Sequence, residues 1–254
     1  MRIGFGAVLV GLLRRPRLRG VGGEALRWAI VLGLVLAAMN SIFYVAISRI
    51  PLGVAVTIEF WGPLALGVAG SRRPRDVVWV VLAAAGIYTL AGGRLAADDL
   101  LGVGAAFLAG LFWASYILAG GRVARLWPDG RGLSLAMVVA TVVVVPVAVL
   151  GGGAGPAAVA VDPLALLGGF AVALFSSAIP YTLEIGALGR LPSATFGVLM
   201  SLEPAIAALV GWLLLGQVLG LHDVGAIVLV AVASAGSSLS ARAGLIAPGE
   251  LEAA

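Results

Sequence analysis

The chain has 254 residues, of which 61% are hydrophobic and only 11% charged. Soluble domains carry about a quarter charged residues, so this composition cannot clothe a water-facing surface. The absence of cysteine excludes a secreted disulfide scaffold, and the apolar excess excludes disorder. What remains is an integral membrane protein with lipid as the solvent of its exterior.

The first apolar run, Met1 to Leu13, is too short to span comfortably. Its charges follow it, at Arg14, Arg15, Arg17 and Arg19, where a secretory signal would carry them in front. It reads as a span cut short at its start. Eight further apolar runs fall at 28–48, 51–69, 77–92, 101–120, 133–151, 164–188, 193–216 and 221–240. None alternates apolar with polar, so they predict helices and not barrel strands. The expected fold is all-α: a polytopic transmembrane bundle of nine spans.

Every basic residue is an arginine. With nine spans, loop parity puts thirteen of them on one side (Arg14, Arg15, Arg17, Arg19, Arg27, Arg72, Arg73, Arg75, Arg122, Arg125, Arg131, Arg190 and Arg242) and Arg2, Arg49 and Arg94 on the other. The positive-inside rule makes the richer side cytoplasmic, with the C-terminus inside. The net charge of +4 is thereby a topology signal. No basic face or aromatic platform points to nucleic acid.

An internal repeat organises the spans. Residues 39–51, MNSIFYVAISRIP, align without a gap on residues 180–192, PYTLEIGALGRLP. Downstream, Gly53 and Gly197 each stand six residues before a glutamate, Glu59 and Glu203, and prolines follow at Pro63 and Pro204. Asp76 and Asp223 each open a further span. A unit of five spans, being odd, inverts its second copy, as in many secondary transporters. The expected domains are a first repeat over 1–95 lacking one span, a second over 96–243, and a tail over 244–254.

Three glutamates fall inside spans: Glu59, Glu184 and Glu203. A charge at the bilayer centre costs on the order of 3 kcal/mol, so such residues face a cavity or a partner. Glu59 is about 12 Å along its helix from Pro51, and Glu203 about 16 Å from Pro192, both near mid-depth. Pro63, Pro180 and Pro204 are expected to break or kink their helices beside the acids. Asn40 with Tyr44, Tyr181 with Glu184, and Trp113 with Tyr116 share helix faces by their spacing. Carboxylates and aromatic faces suit an ammonium; helix ends freed by proline suit a carboxylate. The alternative for Tyr and Trp is an interfacial belt, which fits Trp79 and Trp127 better. Glu184, close to Arg190, can also be read as reaching for the interface. Asp98 and Asp99 read as a solvated loop, His222 as interfacial, and Gly102-x-Gly104 as a helix-packing feature. No cluster has metal-ligand spacing, and no cofactor is expected.

The stretches PLGVAVTIEFWGPLAL (51–66), SRRPRDVVWVVLA (71–83), FWASYILAGGR (112–122) and IPYTLEIGALGRLPSATFGVLMSLEPAIAAL (179–209) resemble the EamA-domain branch of the drug/metabolite transporter superfamily. That resemblance implies ten spans in two inverted five-helix repeats and proton-driven efflux of metabolites or small amino acids such as threonine and homoserine. Against it, the chain starts near the family's second span, so the first family span is expected to be missing. The expected partners are a small-molecule substrate, protons and the lipid bilayer, with a homodimer left open. A non-transporting membrane protein and an intramembrane enzyme, such as a serine protease, are the competing readings; the second lacks a serine held by histidine, since His222 is the only histidine.

Overall fold

The computed structural model describes residues 2–14, 21–50, 52–70, 76–90, 99–150 and 163–192, and farther on residues 196, 199, 200, 220, 221, 224–226, 228, 229, 231–233 and 236. All regular structure among them is helical. In chain order the helices are α1 (Arg2–Arg14), α2 (Gly23–Ile47), α3 (Leu52–Glu59), α4 (Trp61–Gly70), α5 (Asp76–Leu90), α6 (Leu100–Leu126) and α7 (Arg131–Leu150). Then come α8 (Pro163–Ala173), a π-helical turn (Leu174–Ala178) and α9 (Ile179–Leu188).

Three stretches among the described residues are long and apolar enough to cross a membrane: Gly23–Ile47, Leu100–Leu126 and Leu166–Leu188. At about 1.5 Å per residue, the 25 residues of α2 exceed the roughly 30 Å of hydrocarbon. Shorter apolar helices occupy Val77–Gly86, Arg131–Val147 and Val224–Ala233. Leu101, Leu108, Leu111 and Leu118 are all exposed along one stripe of α6, and Val77, Val78 and Val81 are exposed on α5. In water such surfaces would associate; in lipid they face a matching solvent. The protein is a helical membrane protein.

The helix boundaries have local causes. Asp99 Oδ1 accepts the Gly102 N–H at 2.8 Å, capping α6, while Oδ2 pairs with Arg49 Nη1 at 2.8 Å. The expectation of a merely solvated loop is corrected at Asp99: it ties the end of α2 to the start of α6. The run expected as one span over 51–69 is interrupted at Phe60. Pro63 explains the position: it has no N–H to give the carbonyl four residues back, and its ring crowds that carbonyl, which belongs to Glu59. Near Pro180 the chain bends its rules differently. The Ile179 N–H reaches back five residues to the Leu174 carbonyl, so a π turn absorbs the proline and the helix continues from α8 into α9.

Contacts divide the chain into two compact units, each joining an earlier and a later segment. The first is Met1–Ile42 with Ser115–Leu191. In it α1 packs on α7, on α8 and on the π turn. Leu32, Leu36, Ile117, Met137 and Leu188 are fully buried there. The second is Phe43–Ala114 with Pro192–Ala254. Its core includes Ala46, Ile50, Ala55 and Ala106, with Phe43, Ile47 and Ile58 against them. Here α4 and α6 touch backbone to backbone: a Cβ on Gly62 would overlap the Gly110 carbonyl, and one on Gly110 would lie 2.5 Å from the Glu59 carbonyl. Small residues permit such close approach between membrane helices. Gly102 does the same against Ile50 and Arg49, whereas Gly104 faces open space.

Two outcomes are expected of the detergent-purified protein. Gly110→Val should cost at least about 1–3 kcal/mol through overpacking, whereas Gly104→Ala should be neutral or stabilise by up to about 1 kcal/mol; thermal unfolding midpoints check both. Neighbouring N–H and guanidinium donors, chiefly the Gly102 N–H, hold the Asp99 carboxyl below its usual value. Its contribution to stability is therefore complete above about pH 4, the ordinary carboxylate range, and is lost as pH falls through the lower folded value. Asp99→Ala should remove that acid-side dependence from a stability-against-pH curve.

Candidate functional site

Four of the residues singled out from sequence meet in the first unit. Asn40, on α2, is buried; its Nδ2 donates to the Leu36 carbonyl at 2.8 Å and to the Tyr181 hydroxyl of α9 at 3.3 Å. Tyr116, on α6, is fully buried, and its hydroxyl donates to Glu184 Oε2 at 2.8 Å. The Tyr116 and Tyr181 rings stand 5.8 Å apart, tilted at 56°. Three helices thus contribute an amide, two phenols and a carboxylate to one place. The helical spacing explains the grouping: Tyr181 and Glu184 are three apart and share a face of α9. Glu184 is half-buried and held by Tyr116, so it turns inward and does not reach for the interface.

The second unit holds the other acid. Glu59 ends α3 and is buried. Beside it Phe60 occupies the helix interruption and meets Trp113 edge-on, with ring centroids at 4.7 Å. Trp113 is buried as well. Trp61 stacks flat on Phe107 at 4.3 Å and donates its indole N–H to the Phe107 carbonyl at 2.8 Å. Pro63 is the third residue of α4 and is fully buried. Phe60 and Trp61 follow Glu59 in the chain and Gly110 lies against its carbonyl, none of them marked by the sequence; the paired small residues Gly62 and Gly110 were the available sign.

Other expected residues fall elsewhere. Tyr44, one turn beyond Asn40, is half exposed. Pro180 is the second residue of α9, just past the π turn. Glu203 and Pro204 lie outside the described residues. Trp127, expected at an interface, is buried, and its indole donates to the Ala25 carbonyl at 3.0 Å. Among the described residues no three metal-ligating side chains gather.

The chemistry available is that of a carboxylate that accepts from a phenol inside an apolar bundle. Such a group can bind an ammonium, or take up and release a proton. The flanking phenols add electron-rich faces.

A bundle of apolar helices holding such groups has the make-up of a membrane transporter, and comparison with known proteins gives the class its family. The EamA-like transporter family matches residues 100–239. The threonine/homoserine exporter RhtA of Escherichia coli (strain K12) is 40% identical over 245 residues, covering 95% of this chain and 81% of that protein. The protein of the same name from Salmonella typhimurium (strain LT2) is 39% identical over the same extent. A protein solved by crystallography shares the fold at a TM-score of 0.70, with 21% identity, over 95% of this chain and 86% of that one. The chain belongs to the EamA-like transporter family: it is a bacterial membrane transporter of a small molecule and not an enzyme.

Tyr116→Phe should destabilise the protein by about 1–2 kcal/mol, since a hydrogen bond to a carboxylate is lost. A cycle of Tyr116→Phe and Glu184→Gln, read by thermal unfolding, should return a coupling energy of about 1 kcal/mol or more.

Proposed function

We propose that the chain exports threonine, homoserine or closely related small metabolites across the bacterial inner membrane, driven by the proton gradient. The observation that carries this reading is 40% identity, over 95% of the chain, to exporters named for those two amino acids. Both substrates bring an ammonium, a carboxylate and a hydroxyl. Glu184, with Tyr116, Tyr181 and Asn40, supplies an acceptor for the ammonium and polar partners for a hydroxyl. Glu59, and Glu203 at the equivalent position of the repeat, supply carboxylates for proton exchange. Tyr44, half exposed, and Trp113, buried against Phe60, are further candidates by their helix faces, and Pro63, Pro180 and Pro204 loosen the backbone beside the acids.

The architecture that goes with this function is an inverted repeat: five-helix units over 1–95 and 96–243, nine spans in this chain, and a tail over 244–254. Thirteen arginines against three by loop parity support a cytoplasmic C-terminus. Alternating access would then rock helices about a mid-membrane cavity. A homodimer is compatible with this arrangement and is not needed for it.

The test is efflux of labelled threonine and homoserine from cells, with and without an imposed pH gradient. Wild type should export both, faster with the external side acid. Glu59→Gln, Glu184→Gln and Glu203→Gln should each lower the rate at least tenfold, the scale on which losing a charged partner acts. Export at the wild-type rate by all three variants would overturn the site, and loss of the gradient response in wild type would overturn the coupling.

A further inference from the structure

The repeat invites a comparison between its two copies, and the copies differ at one end. In the first, Arg49 is neutralised by Asp99 at 2.8 Å. Its aligned counterpart in the second is Arg190. Among the described residues Arg190 enters no ion pair. It lines a cavity of about 350 Å³ inside the first unit. This is the lower end of the range for small-ligand pockets.

The aligned residues show what opens the cavity in the second copy. Ser41, Val45 and Ser48 of the first copy correspond to Thr182, Gly186 and Gly189 of the second. All three of the latter line the cavity, so two of its positions have lost their side chains. A Cβ placed on Gly186 meets nothing within 4 Å. Val10, Leu133, Ile185 and Trp127 supply apolar wall, the last fixed by its bond to the Ala25 carbonyl.

The polar groups at this wall are of opposite sign. Arg190 offers a fork of N–H donors suited to a carboxylate. The C-terminal end of α9 offers carbonyls. The Gly189 N–H goes to the Ile185 carbonyl and both the Arg190 and Leu191 N–H groups go to Ala187, so among the described residues no N–H from past the helix end reaches the Gly186 carbonyl. Helix C-termini favour cations. Thr182 spends its hydroxyl hydrogen on the Ala178 carbonyl and keeps lone pairs to accept with.

We infer that this cavity is a binding site for a small zwitterionic α-amino acid, with its carboxylate on Arg190 and its ammonium at the α9 C-terminal carbonyls. The inference rests on reading the chain as an amino-acid exporter. By the arginine distribution the site lies at the cytoplasmic end, distinct from the Tyr116–Glu184 cluster, and serves to load substrate before it moves inward.

Binding and transport are measured separately on the full chain. Labelled threonine is bound to the purified protein, with threoninol, which lacks the carboxylate, and inorganic phosphate as competitors. Unlabelled threonine should displace the label, and neither competitor should. Arg190→Gln should weaken binding about tenfold or more, the scale of a lost charge-assisted contact, with Arg190→Lys recovering part of it. Gly186→Val, which restores the first-copy residue, should fill the cavity and weaken binding similarly. In export assays Arg190→Gln should raise KM and leave kcat within about twofold. Wild-type affinity in both Arg190→Gln and Gly186→Val overturns the site, as does displacement of the label by phosphate, which marks an anion or lipid-headgroup site. Should Gly186→Val fail to fold, Arg190→Gln decides alone. If wild type exports no threonine yet binds another α-amino acid in an Arg190-dependent way, the site stands and the proposed substrate falls.

Discussion

Lipid offers no hydrogen bonds, and a polar group placed inside it is costly unless the chain itself satisfies it. That constraint orders the structure described above. It makes the regular structure helical, since a helix pairs its own backbone. It puts the hydroxyls of Thr89, Thr141, Ser176 and Thr182 onto carbonyls one turn back along their own helices. It also decides where charge can be kept. Glu184 is tolerable because Tyr116 donates to it, and Asn40 because Leu36 and Tyr181 take its amide hydrogens.

Glycine serves the same constraint from another direction. Where α4 meets α6, Gly62 and Gly110 let backbones touch, and dispersion then replaces the hydrophobic drive that is missing in lipid. The contact lies beside the helix interruption at Phe60 and the buried Glu59. Close packing and a buried acid are thus built from neighbouring residues of one short segment.

Much of this was legible in the sequence. The runs at 28–48, 77–92, 133–151 and 164–188 correspond to α2, α5, α7 and the helix from α8 through α9, because apolar length is what lipid selects. Asn40, Tyr116, Tyr181 and Glu184 could be picked out because polar residues are costly in such runs. Their meeting could not be read, since it depends on which faces of α2, α6 and α9 turn together. Hydropathy also hid the interruption at Phe60, an apolar residue in an apolar run; only Pro63, three residues on, hinted at it. Asp99 was underestimated for the opposite reason. A charged residue between spans looks solvated until its cap to Gly102 and its pair with Arg49 are seen.

The π turn at Leu174–Ala178 has a consequence for how α9 can change over time. A π turn carries one residue more than the α-helical path it replaces. Deleting that extra residue would restore plain α-helix and leave the face of everything beyond it nearly unchanged, whereas the same deletion in plain α-helix would rotate it by about 100°. Tyr181 and Glu184 would keep their present face together, as would Thr182, Gly186 and Gly189. The turn therefore works as a store of length in front of α9. A one-residue deletion in these five residues can be absorbed with the polar groups of this helix still aimed as they are, where one inside α9 itself would re-aim all that follow.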